Sequence, residues 1–134
     1  MKRVLKILPF ILIITFFSAC SNSQPTPQSK LDSNKVIIYD IKRKGCPACA
    51  YQERVFRVPE VKELLDKYCQ IIYVDVSEQD KLPKKWMHTH KTPTVHFVDA
   101  NNNKLIPSIG SVYPYEFRDA ILKAKAELDK RAKK

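Results

Sequence analysis

The pair Cys46 and Cys49, set in "RKGCPACAYQER" (43 to 54), has the type and spacing for chemistry. Two thiols three positions apart admit three uses: exchange with another disulfide, donation of two soft sulfurs to a metal, or a permanent staple. A staple closing so short a loop restricts little of the unfolded chain, so its entropic contribution is small. A metal needs further ligands. His88 and His90, as His-x-His, would complete a four-ligand set suited to copper or zinc. A His-x-His on a loop is more often a surface pair, however, and His96 reads as structural or surface.

Placing such a pair takes a scaffold, and the hydrophobic pattern supplies one. "KVIIYDI" (35 to 41) is β-branched and aromatic, and reads as a strand ending in a basic loop of Lys42, Arg43 and Lys44. From Pro47 the pattern turns helical, with proline at a first-turn position where its missing N–H does no harm. A second helical segment starts near Pro59, with Val61, Leu64, Leu65 and Tyr68 at helical spacing. "QIIYVDV" (70 to 76) reads as a second strand and "TPTVHFVD" (92 to 99) as a third, entered through Pro93. Residues 77 to 91 are polar, and Lys84 to His88 have the pattern of a short helix. "ANNNK" (100 to 104) is turn chemistry. "KLIPSIG" (104 to 110) then reads as an antiparallel edge strand that tolerates Pro107. Phe117, Ala120, Ile121, Ala124 and Leu128 form one face of a terminal helix. The order is β–α–β–(α)–β–β–α. A chain with only two glycines has no Gly-rich phosphate loop.

That order, with CxxC just after the first strand and Thr-Pro-Thr opening the third, resembles the thioredoxin superfamily over nearly all of residues 35 to 130. No Trp precedes Cys46, so the likeness is nearer to exported thioredoxin-like proteins than to cytosolic thioredoxin. A lone CxxC is weak. Joined to a candidate cis-proline some 45 residues on and to the element order, it becomes specific. The resemblance implies an α/β thioredoxin fold, a central mixed four-stranded sheet flanked by helices.

It also implies roles. Cys46 would be the exposed nucleophile at a helix N-terminus, where free N–H groups and the macrodipole favour a thiolate. Lys42, Arg43 and Lys44 add positive potential. Cys49 would be the more buried resolving thiol, paired with Cys46 as a redox-active disulfide. Pro93 would be cis and lie against that disulfide, with Thr92 and Pro47 at the substrate-binding surface. Asp40, six residues before Cys46, stands where thioredoxins carry a buried acid that accepts a proton from the resolving thiol. It reads equally as a solvated charge at a strand end. Cys69 reads as a buried, inert thiol.

The N-terminal residues suggest an address. Lys2, Arg3 and Lys6 give a basic start, and an uncharged, mostly apolar stretch of thirteen residues, Ile7 to Ala19, leads to Cys20. That is short for a bilayer span of about 20 residues. "FFSAC" resembles a bacterial lipobox, although Phe17 stands where Leu is usual. The expected organisation is a lipoprotein signal peptide at 1–19, lipidated Cys20 with a disordered tether at 20–34, and a thioredoxin-like domain at 35–134. Loss of the three basic residues takes the formal charge from +10 to +7. An exported chain rarely meets nucleic acid, and a basic solvated face accounts for the excess. The reading is a membrane-anchored thiol–disulfide oxidoreductase in the bacterial envelope, facing the periplasm or exterior. Its partners would be protein thiols or disulfides and a membrane redox partner. Reduction is favoured over oxidation and no cofactor is implied. The alternative is a copper- or zinc-handling lipoprotein.

Overall fold

The computed structural model describes residues 30–83 and 90–134. Strand β1 (Val36–Lys42) is followed by helices α1 (Pro47–Phe56) and α2 (Pro59–Tyr68), then by β2 (Cys69–Asp75). A short 3-10 helix, Val76–Lys81, follows β2 and opens the polar stretch. Strand β3 (Thr94–Val98) and helix α3 (Pro114–Ala132) complete the order. Each α-helix opens with proline at its first position, where its fixed φ suits the first turn. The boundaries differ from the sequence pattern by one or two residues at each strand. The Lys84–His88 segment, the N-terminal address, Cys20 and tether residues 21–29 lie outside the described residues.

The sheet order is β2-β1-β3, with β1 parallel to β2 and antiparallel to β3. A parallel pair needs a long crossover, and α1 with α2 provides it. Central β1 is buried on both faces, which explains its continuous apolar run. Val36 and Ile38 turn toward the helices, whereas Ile37 and Tyr39 pack with Val98, Ile72, Leu31 and Leu82. Strand alternation places Asp40 on the helix side with Val36 and Ile38. On that side Phe117 of α3 lies 4.9 Å from Phe56 and 5.8 Å from Phe97, ring centre to ring centre. All five residues expected on the apolar face of α3 are buried.

The expected fourth strand is reduced to two isolated bridges, Val95 with Ile109 and Val98 with Lys104. Val95 and Ile109 exchange backbone hydrogen bonds of 2.8 and 3.1 Å, and Leu105 N donates to Phe97 O at 2.9 Å. Between these points stands Pro107, which has no N–H to offer a ladder, so a continuous strand does not form. The sheet therefore has three strands among the described residues, with the 104–110 segment laid along the β3 edge. No helix among the described residues is long and apolar enough to cross a membrane.

Candidate functional site

After β1, the turn Arg43-Lys44-Gly45 delivers the chain to α1. Gly45 has a φ of 73°, a left-handed conformation that side chains disfavour. This glycine was not singled out from sequence, yet its signal was there: one of two in the chain, directly before the CxxC. Cys46 is extended and caps α1, and its carbonyl accepts from Ala50 N at 3.1 Å. Its sulfur is bonded to that of Cys49, with Cα atoms 5.2 Å apart. Cys46 is half-buried, while Cys49 is 5% exposed.

Two donors face the Cys46 sulfur. Cys49 N–H lies 3.2 Å away and the Thr92 hydroxyl 3.5 Å away, while the Thr92 carbonyl oxygen is at 3.6 Å. Thr92 and Cys46 are 46 positions apart in sequence. The Thr92–Pro93 peptide is cis and Pro93 is buried. Cys46, Cys49 and Thr92 thus converge on one point, with Pro93 next to Thr92 and exposed Pro47 on the rim. Beside the disulfide opens a cleft of about 510 Å³, whose charged lining is Lys42, Arg43, Lys44, Glu53 and Asp75. Arg43 Nη2 donates to the His90 carbonyl at 3.1 Å, tying the loop before the cysteines to the segment before Thr92.

Asp40 is buried, at 1% exposure, so it is not a solvated charge at a strand end. Burial pushes its carboxyl up to about 6; nearby Lys42 opposes the rise and Glu53 adds to it. Its Oδ1 atom has no hydrogen-bond partner among the described residues. Lys42 Nζ meets Glu53 Oε1 at 2.8 Å and sits 4.2 Å from the centre of the Tyr73 ring. Glu53 escaped the sequence reading. Only the helical phase of α1, four residues on from Cys49, brings it to Lys42.

The remaining candidates lie elsewhere. Cys69 is buried and free, and burial pushes its thiol up to about 12. His96 is buried, with Nδ1 2.6 Å from Ser108 Oγ; burial first and Lys104 second push it down to about 4. His88 lies outside the described residues, and His90 is exposed. Among the described residues no group of three or more His, Cys, Asp or Glu is placed to hold a metal.

No family model and no curated protein matches the sequence. Solved structures do match. DsbH oxidoreductase aligns with a TM-score of 0.59 at 16% identity, covering 69% of this chain and 74% of that one. The C-terminal domain of Neisseria meningitidis DsbD, in its reduced form, aligns at 0.56 and 19% identity, covering 69% and 83%. This chain has the thioredoxin fold. A thioredoxin from Thermus thermophilus gives the same TM-score of 0.56 at 22% identity, covering 66% of this chain and 72% of that one. At such identities the likeness carries the fold, and the chemistry has to be argued from the residues themselves. In this thioredoxin fold the disulfide sits at the start of α1, with Cys46 half-buried and Cys49 buried.

Proposed function

We propose that this chain is a thiol–disulfide oxidoreductase acting on protein disulfides through Cys46 and Cys49, held at a bacterial envelope membrane by lipidated Cys20. The observation that carries the reading is the Cys46–Cys49 bridge at the start of α1, with Cys46 half-buried, Cys49 buried and Thr92 against the Cys46 sulfur. In the reducing direction the Cys46 thiolate attacks one sulfur of a substrate disulfide and expels the other as thiolate. Cys49 then gives its proton to Asp40 and attacks the Cys46 sulfur, releasing the second substrate thiolate. The substrate gains two electrons, the pair is left as a disulfide, and a membrane redox partner reduces it again. Donors at the Cys46 sulfur favour negative charge there, as does the basic loop. Thr92 offers backbone groups to an extended substrate segment beside that sulfur.

Reduction is preferred because Asp40, raised to about 6, is suited to take a proton near neutral pH. DsbH, of the same fold, is an oxidoreductase, which agrees with the reaction class.

The test is the equilibrium of the full chain with glutathione, followed by thiol labelling of Cys46 and Cys49. A potential near ~−270 mV supports a reductase, and one near ~−120 mV makes the chain a disulfide donor instead. In the same assay Cys46→Ser should abolish exchange, and Cys49→Ser should accumulate a mixed disulfide through Cys46. Normal exchange by Cys46→Ser would overturn the mechanism.

A further inference from the structure

Asp40 and Lys42 lie two positions apart on one face of β1, roughly 7 Å along the strand. Lys42 is restrained on two further sides, by Glu53 of α1 at 2.8 Å and by the Tyr73 ring of β2 at 4.2 Å. Lys42 and Glu53 both line the cleft beside the disulfide, at 32% and 39% side-chain exposure, whereas Asp40 is sealed. A buried acid, an ammonium that attracts its charge and a carboxylate that holds the ammonium therefore run from the core to the cleft.

We propose that Lys42 and Glu53 are positioning residues for Asp40: the grip of Glu53 on Lys42 sets how strongly Lys42 draws negative charge onto the Asp40 carboxyl. The inference rests on the oxidoreductase reading, in which Asp40 takes the proton that Cys49 loses. That proton moves from Cys49 sulfur to an Asp40 oxygen, the Cys49 thiolate attacks the Cys46 sulfur of the mixed disulfide and expels the substrate sulfur as thiolate, and Asp40 later returns the proton to solvent. Too strong a pull from Lys42 leaves Asp40 ionised but a poor base. Too weak a pull leaves it already protonated and unable to accept.

The surrounding groups fit this division of labour. The charged or titratable groups that act on Asp40 are Lys42 of β1, Glu53 of α1 and Tyr73 of β2, while Cys49 and Asp75 share the cleft with Lys42 and Glu53, and Arg57 at the end of α1 acts on Tyr73. From β3 the residue opposite Asp40 is Val95, which carries no charge. Asp75 is held down first by the Ser77 hydroxyl at 2.6 Å, then by Ser77 N–H at 2.9 Å and by Arg43. The Lys42 ammonium is pushed up, first by its hydrogen bond to Glu53, and Glu53 is held down by the same bond.

The experiment follows the Asp40 carboxyl by ¹³C NMR in the oxidised full chain in detergent, with Asp40→Asn to assign the signal. Glu53→Gln frees Lys42 to turn to Asp40 and removes a repelling charge, so Asp40 should titrate about one pH unit lower. Lys42→Met removes the attraction and leaves Glu53, so Asp40 should titrate about one pH unit higher. Lys42→Arg should stay close to the parent. The pH profile for resolution of the mixed disulfide should move in the same two directions. Unchanged titration, shifts of the same sign, or a resolution profile that ignores them would overturn the inference. Persistent exchange by Cys46→Ser would instead overturn the reaction itself, so the two failures are separable.

Discussion

At the scale of single residues, the cost of the site is concentrated in Asp40. Its carboxyl is raised from an ordinary 3.8 to about 6 by burial, so the folded chain binds a proton there more tightly than the unfolded chain does. Stability on this account is greatest below the ordinary value, falls as pH rises through the interval between the two, and stays reduced above about 6. A separation of that size corresponds to ~3 kcal/mol. Asp40→Asn should remove the slope: denaturant midpoints measured from acid to mildly alkaline pH should fall across that interval in the parent and stay flat, from this group, in the variant. A parent whose stability rises through the interval while the variant does not would refute a sealed acid. Sequence placed Asp40 on the right strand but left its depth open, because alternation reveals a face and not what covers it. The cysteines and Thr92-Pro93 were legible because a local motif and a proline at a strand entry announce themselves. Glu53 was not, since its role depends on the phase of α1 against β1.

At the scale of elements, the site rests on how α1 is held to the sheet. Phe117 of α3, fully buried, touches Phe56 of α1 and lies over Phe97 of β3, so one side chain joins the helix bearing Cys49 to the strand after Pro93. Phe117→Ala removes that ring and leaves a cavity bounded by elements that cannot collapse together. The expected loss is about 3–5 kcal/mol, read from urea unfolding; a loss below 1 kcal/mol would mean that the helices re-pack freely. The helices were readable because apolar residues recur at helical spacing and, for the first two, because Pro47 and Pro59 mark the starts. The 104–110 segment misled, because β-branched composition argues for a strand while the ladder depends on every N–H, and Pro107 lacks one. Propensity there describes side chains, and pairing is decided by the backbone.

At the scale of the whole molecule, the charge of +10 does not act as a single field. Along α3, Lys125 pairs with Asp129 and Arg131 with Glu127, while Arg131 also donates to the Lys104 carbonyl at 3.0 Å. Exposed pairs of this kind contribute roughly 0.3–0.5 kcal/mol each, so they neutralise more than they stabilise. Among the basic groups placed to act on a partner is Lys44, which lines the cleft beside the disulfide. On the reading proposed above, membrane attachment comes from lipidated Cys20 and not from charge: each buried CH₂ of an acyl chain contributes about 0.8 kcal/mol, and more than one chain gives stable anchoring. The prediction is an N-terminal peptide that begins at Cys20 and carries acyl groups, detected by mass spectrometry of the membrane-bound chain and by incorporation of labelled palmitate. Cys20→Ala should abolish both signals, and high salt, which screens charge, should leave the parent on the membrane. A parent chain that takes up no label, or that salt removes, would place the oxidoreductase site on a protein held by electrostatics alone.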